Sequence, residues 1–199
     1  MIDAGLVIPV YRSGDGELHL VMILRQPGGV HGGQVAFPGG KRDPEDETML
    51  DTALREVREE LGLTINRADV LAELPVVETR TTGYRVFPYL ARIHVPDQWQ
   101  IAEREIAEIL DVKLNDLLEP DAHAKRTERF PTWQQPQQVS SYQVGSYRLW
   151  AFPIASCIRL FRGLWRASGM YEQKKGFSRV RSPDGQTRNR KYRVQEKGV

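Results

Sequence analysis

Cysteine is nearly absent from this sequence. Cys157 is the single one among 199 residues, so no disulfide can form within the chain and no zinc site of clustered thiolates can be assembled. A reducing, cytoplasmic setting is the expectation. Long apolar runs are missing too. The longest candidate, residues 149–161, is shorter than the roughly 18–20 residues that span a bilayer, and Pro153 and Arg159 interrupt it. No membrane association is expected. The first ten residues lack a basic start and a long apolar stretch, so no signal peptide is expected. There is no repeat that would indicate a solenoid or propeller.

What is present is ordinary globular material: 40% hydrophobic and 27% charged residues, a composition that excludes a wholly disordered, collagen-like or coiled-coil chain. The charge is unevenly spread. Residues 174–199 hold nine Lys or Arg against Asp184 and Glu196, a local balance of +7, and the whole chain is only +2. The body is therefore mildly acidic, at −5. The expected organisation is one domain over residues 1–173 and a basic tail over 174–199. The tail could meet nucleic-acid phosphates electrostatically, but a solvated tail is the simpler reading, and nucleic acid is not the expected partner.

Short runs rich in Val, Ile and Leu at 6–11 and 19–24 flank Ser13-Gly14-Asp15-Gly16 and predict a hairpin. A glycine-rich stretch follows, with Gly28, Gly29, Gly32, Gly33, Gly39 and Gly40. Residues 48–61 predict a helix, with Asp46 or Thr48 as N-cap and Gly62 as the stop. Strands are expected at 70–77 and 84–93 around Thr81-Thr82-Gly83, another at 109–114, and a short helix at 115–118. A second hairpin is expected at 139–144 and 147–152, and a last helix at 154–166 opened by Pro153. These elements predict an α/β (α+β) fold with a mixed sheet packed between helices.

The helix at 48–61 carries the chemistry. At about 100° per residue, Leu50, Leu54, Val57 and Leu61 make a narrow apolar stripe, which is the expected buried side. Glu56, Glu59 and Glu60 fall together on another face. Like charges at this spacing cost roughly 0.2–0.5 kcal/mol per pair. Arg55 and Arg58 offset part of that, and a hard divalent cation would offset more.

The run Gly39-Gly40-Lys41-Arg42-Asp43-Pro44-Glu45-Asp46-Glu47, followed by Arg55-Glu56-Val57-Arg58-Glu59-Glu60-Leu61-Gly62-Leu63, closely resembles the Nudix box. Its second half matches every fixed position, and Glu47 precedes Arg55 with the family's seven residues between. Six residues rather than five separate Gly40 from Glu47. The resemblance implies the Nudix α/β/α sandwich and a hydrolase that cleaves a nucleoside diphosphate linked to another moiety. It implies Mg²⁺, with Mn²⁺ as substitute, held by Glu56, Glu59 and Glu60 and by a carbonyl of Gly39 or Gly40. Arg55 would orient a glutamate, Glu47 or Glu56. The base would be a box glutamate or one from a later loop, where Glu105 is the candidate.

Upstream, Leu24-Arg25 and His31-Gly32-Gly33-Gln34-Val35-Ala36-Phe37-Pro38-Gly39-Gly40 resemble the signature of the coenzyme A pyrophosphatases within that family. The products would then be 3′,5′-ADP and 4′-phosphopantetheine. ADP-ribose, another dinucleotide and capped RNA are the alternatives, and a non-catalytic nucleotide-binding module is a further one. Arg25, His31, Lys41, Arg42 and Tyr84 are the candidate substrate-binding residues, with Arg80 and Arg85 as further cations and Phe87, Tyr89, Tyr142 and Tyr147 as further aromatics.

Overall fold

The computed structural model describes residues 1–28, 31–79, 83–119, 121–129, 135–150 and 191–192. In chain order its elements are β1 Ile2–Arg12, β2 Leu18–Arg25, β3 Val35–Ala36, β4 Gly39–Lys41, helix α1 Met49–Leu61, β5 Val70–Glu73, β6 Val77–Glu78, β7 Tyr84–Arg92 and β8 Ile106–Lys113. Then come the short helix α2 Leu114–Leu118, β9 His123–Glu128, β10 Gln137–Val144, β11 Tyr147–Trp150 and β12 Lys191–Tyr192.

Strand β1 organises the rest. It runs parallel to β7 from Ile2 opposite Tyr84 to Val10 opposite Arg92. On its other edge it pairs with two partners in turn, β4 at Ala4–Leu6 and β2 at Val10–Arg12. The predicted first hairpin is thus present, but β1 and β2 diverge beyond it. The chain from β3 to β4 fills the gap, β3 pairing with β2 and β4 with β1. Glycines 39 and 40 of the glycine-rich stretch are therefore strand residues.

Alternation along the strands builds two cores. Val7, Val21, Ile23, Tyr89, Ala91 and Ile109 face α1, where Ala53, Val57 and Leu61 meet them. Ile8, Leu20, Met22, Leu90, Leu110 and Val112 face the other way, against Leu114 and Leu117 of α2 and Tyr142, Val144 and Leu149 of the β10–β11 hairpin. Each fully buried Val, Leu or Ile of these layers contributes about 1.5–3 kcal/mol of transfer free energy. Among the described residues the second face is covered by α2 and strands. The predicted helix at 154–166 and nearly all of the basic tail lie outside them. Lys191 and Tyr192 pair antiparallel with Leu110 and Ile109 of β8.

Several boundaries differ from expectation for physical reasons. The strand predicted at 70–77 is two, β5 and β6, because Pro75 has no N–H to continue a ladder. Strand β9, a mostly polar His-Ala-Lys-Arg-Thr-Glu segment that among the described residues pairs with β10, carries no apolar alternation to reveal it. Helix α1 starts where the sequence indicates. Thr48 is the N-cap, and it exchanges capping-box hydrogen bonds with Asp51. Gly62 closes the helix in the left-handed conformation.

The buried side of α1 is rotated from the predicted stripe. Leu50 and Leu54 are only half-buried, whereas Thr52, Ala53, Val57, Glu60 and Leu61 are buried. The cause is a backbone-to-backbone approach. An added Cβ on Gly5 would stand 2.6 Å from the Met49 carbonyl oxygen and 2.7 Å from the Ala53 nitrogen. The helix is seated on β1 along the line through Met49 and Ala53, and Glu60 turns inward as a result. Gly5→Ala is expected to destabilise the protein by roughly 1–3 kcal/mol through overpacking. The urea midpoint should fall with little change in m-value; an unchanged midpoint would show that the helix does not need this contact.

Candidate active site

Strand β4 places its residues on alternate faces. Gly40, opposite Gly5, looks toward α1, and a Cβ there would lie 2.3–2.6 Å from the carboxylate atoms of Glu56. The side-chain-free position is thus the space that the Glu56 carboxylate fills. The backbone N–H of Gly39 donates to Glu60 Oε2 at 2.9 Å, and Arg25 Nη1 stands 3.7 Å from Glu60 Oε1. Glu60 is 2% exposed. Burial pushes its carboxyl up to about 7, against the opposing pull of the Gly39 N–H and Arg25; the neighbouring charges of Glu56 and Glu105 add to the rise. Burial likewise raises Glu56, which Arg55 draws back down.

Arg55 is the hub of the site. Its Nε and Nη2 donate to the two oxygens of Asp46, each at 3.0 Å, a bidentate pair. Nη1 donates to Glu56 Oε1 at 3.1 Å and Glu59 Oε2 at 3.0 Å, and Nη2 also donates to the Lys41 carbonyl at 3.0 Å. One guanidinium therefore joins the loop before the helix, strand β4 and two of the three helix carboxylates. Asp46 is buried, accepts the Asp43 N–H at 2.9 Å, and is held down to about 2 chiefly by Arg55. Glu47 is exposed, and only its carbonyl takes part, accepting from Arg42 Nη2 at 3.0 Å. The sequence reading paired Arg55 with Glu47 or Glu56; the structure gives it Glu56 and, on the loop side, Asp46. The signal was available, because five residues separate Gly40 from Asp46.

The other candidates divide into those gathered here and those placed elsewhere. Glu105 is exposed on the turn before β8, near enough for its charge to act on both Glu56 and Glu60. Glu59 is exposed at the rim, tied to Arg55. Lys41 and Tyr84 are together, the ammonium 6.0 Å from the ring centre, but they lie on the sheet face away from Glu56. Arg42 spans the loop, donating to the carbonyls of Asp46 and Glu47. His31 is exposed and bonds Gln34 at 3.3 Å within the glycine-rich turn. Arg85 is occupied by Asp3 and stacked on Phe87. Tyr89 and Tyr142 are core residues, and Tyr147 donates to Glu108. Arg80 lies outside the described residues.

Among the described residues, no three carboxylate, imidazole or thiol groups converge on one point as the side chains stand. The donors at hand are nonetheless all hard oxygens: the buried carboxylate of Glu60 and the half-buried one of Glu56, with Glu59 at the rim and glycine carbonyls on β4. Such a set fits an oxygen-preferring divalent cation.

The buried Glu60 makes a pH prediction for the ion-free protein. Its folded-state value, raised above the usual 4.5 to about 7, means the folded state binds the proton more tightly than the unfolded chain. Its contribution is therefore favourable below pH 4.5 and is lost as pH rises through 7, by on the order of 3 kcal/mol. With chelator present, Glu60→Gln should flatten this part of the stability–pH curve and leave the variant more stable than the parent at pH 8. A parent curve that is already flat between pH 4.5 and 8 would contradict it.

The geometry agrees with comparisons to known proteins. The NUDIX domain family model matches residues 2–134. The Nudix hydrolase NudL of Pectobacterium atrosepticum is 32% identical over 117 residues, 55% of this chain and 60% of that protein. The NudL of Yersinia enterocolitica is 35% identical over 88 residues, 44% of this chain and 45% of that one. The chain thus spans about half the length of these curated relatives. The crystal structure of a MutT/nudix family protein from Enterococcus faecalis matches 71% of this chain and 51% of its own, with a TM-score of 0.51 at 18% identity. That of a NUDIX hydrolase from Alicyclobacillus acidocaldarius matches 59% and 81%, with a TM-score of 0.50 at 18% identity. These two bear on the fold alone. With two thirds of its length matched by the family model and the glycine strand set against the acidic helix, the chain belongs to the Nudix family.

Proposed function

We propose that this protein hydrolyses a diphosphate bond in a nucleoside diphosphate linked to another moiety, with Mg²⁺ or Mn²⁺, and that coenzyme A is its substrate. The observation that carries the reading is the pair of carboxylates set against a glycine strand, Glu60 buried on the Gly39 N–H and Glu56 half-buried in the space beside Gly40. Arg55 and Arg25 relieve part of the repulsion between the two carboxylates, and a divalent cation would relieve more. Glu56, Glu59 and Glu60 would hold the ion, with a carbonyl of Gly39 or Gly40. When bound, the ion supplies charge neutralisation and Lewis-acid polarisation at the diphosphate oxygens.

The chain's own residues do the remainder. Gly39 N–H fixes one oxygen of Glu60 and leaves the other facing Arg25. Arg25, one third exposed at the mouth, suits a phosphate oxygen, and exchanging Glu60 for that phosphate leaves the guanidinium paired. Arg55, locked by Asp46, holds Glu56 and Glu59 on the same side of the helix. In this reading Glu105 accepts the proton of the attacking water as the new phosphorus–oxygen bond forms and the bridging oxygen departs with the second phosphate. The coenzyme A assignment rests on the sequence run from His31 to Gly40. Lys41 and Tyr84 enter it only as a second contact region across the sheet, for the far end of an extended substrate. The lone cysteine suits a cytoplasmic location.

The test is a panel of coenzyme A, dephospho-coenzyme A, ADP-ribose, dinucleoside polyphosphates and capped RNA, with Mg²⁺ or Mn²⁺ and products read by mass. Coenzyme A should give 3′,5′-ADP and 4′-phosphopantetheine, faster than its dephospho form gives AMP. Glu60→Gln should lower kcat by at least about 100-fold without unfolding the protein. Full turnover by Glu60→Gln would remove the proposed ion site, and preference for another member of the panel would replace coenzyme A.

A further inference from the structure

We infer that Gln26 is the positioning residue for the acidic turn at residues 102–106, and that its amide sets where the Glu105 carboxylate stands relative to Glu56 and Glu60. The inference deepens the reading above, in which Glu105 serves the reaction, and rests on it.

An exposed carboxylate on a turn is useful as a base only if its backbone is fixed to within a fraction of an ångström. One side of this turn is built from its own chain. The N–H groups of Glu105 and Ile106 both donate to the Ala102 carbonyl, at 2.8 and 2.9 Å, and the Ala102 N–H donates to the Glu60 carbonyl at 2.9 Å. That ties the turn to the end of α1. Its outward carbonyls are taken by a single residue, Gln26, immediately after β2. The Gln26 N–H donates to the Glu105 carbonyl at 2.7 Å. Its side-chain Nε2 donates to the Glu103 carbonyl at 2.8 Å and the Ile106 carbonyl at 3.4 Å. Three carbonyls bracketing Glu105 thus converge on one residue. A primary amide of this length suits the place, since it brings two N–H groups on one nitrogen without adding charge. A glutamate would face acceptors with acceptors, and a methionine of similar length would bring no donor.

The reach of Gln26 has a cause in the sheet. Leu24 pairs with Glu108, but Arg25 pairs with Ile106, so Ala107 is an extra residue on β8. In an unbroken ladder, neighbouring residues 25 and 26 point to opposite faces. The bulge re-aims the strand end. Arg25 reaches Glu60 and Gln26 reaches the Glu105 turn, so consecutive residues serve the two halves of one acidic site. The charge of Glu105 acting on both Glu56 and Glu60 is consistent with that closeness.

The test uses the full chain with Gln26→Met and Gln26→Glu, in the parent and in a Glu105→Gln background. Hydrogen exchange at the amides of residues 105 and 106 should quicken at least tenfold in both Gln26 variants, while α1 and the middle of β2 keep their protection. On the substrate the parent hydrolyses, kcat should fall roughly tenfold or more with KM within about twofold. In the Glu105→Gln background, Gln26→Met should lower kcat no further, because the positioned group is already gone. Unchanged exchange at 105 and 106 would overturn the inference. So would an equal fall in kcat in both backgrounds, or full kcat in Glu105→Gln. If the parent hydrolyses no member of the panel, the functional reading fails instead, and the exchange measurement still decides whether Gln26 holds the turn.

Discussion

The constraint on which this structure depends is the contact between a helix backbone and strands that lack side chains. Gly5 lets α1 lie directly on β1, and Gly40, its cross-strand partner, leaves the space that the Glu56 carboxylate occupies. A side chain at Gly5 would lift the helix, and one at Gly40, directly across the ladder, would displace the Glu56 carboxylate. Seating the helix this way rotates it, so that Glu60 turns toward the interior and finds the Gly39 N–H. The crowded carboxylates are therefore a product of packing geometry as much as of helix periodicity.

The second layer of organisation is electrostatic. Burying Glu60 beside the half-buried Glu56 is unfavourable, and the protein answers with two arginines used differently. Arg55 is saturated, with every donor direction engaged by Asp46, the Lys41 carbonyl, Glu56 and Glu59. Arg25 is loosely held, 3.7 Å from Glu60 and partly open to solvent. A saturated cation acts as a frame, and a loosely held one can exchange its partner for a ligand. Their different hydrogen bonding, not their shared charge, assigns them different roles.

Much of this was legible in the sequence because it is local. The capping Thr48, the Gly62 stop and the acidic repeat all act within one helix, and their spacing alone placed α1. The apolar stripe misled because Leu50 and Leu54 satisfy helical periodicity without facing the sheet. What orients the helix is Gly5, more than forty residues away, and a glycine carries no hydropathic signal. The acid that grips Arg55 was missed for a similar reason. Asp46 and Glu47 are adjacent and equally acidic; the spacing from Gly40 favours Asp46 and the spacing to Arg55 favours Glu47, and the chain direction entering the helix, fixed by Arg42 and the Asp43 N–H, buries Asp46. Strand β9 was invisible because it is mostly polar and carries no apolar alternation; among the described residues it is held by β10.

A site assembled from distant segments needs those segments held to one another and not only to the core. Here β4 is held to α1 by Arg55, the end of β2 meets α1 through Arg25 and Glu60, and the turn before β8 hangs between the Glu60 carbonyl and Gln26. Glu60 takes part twice, through its carboxylate toward β4 and β2 and through its carbonyl toward the acidic turn. A rigid-body shift of the helix end would therefore move the Glu105 turn with it and preserve the spacing between the two halves of the site. Flexing of the turn alone would break that spacing, and the contacts opposing it come from the end of a strand whose ladder is interrupted by a bulge. Placing the restraint at a bulge follows from the same geometry: an unbroken ladder would hold β2 and β8 together more regularly but could not aim two consecutive side chains at one site.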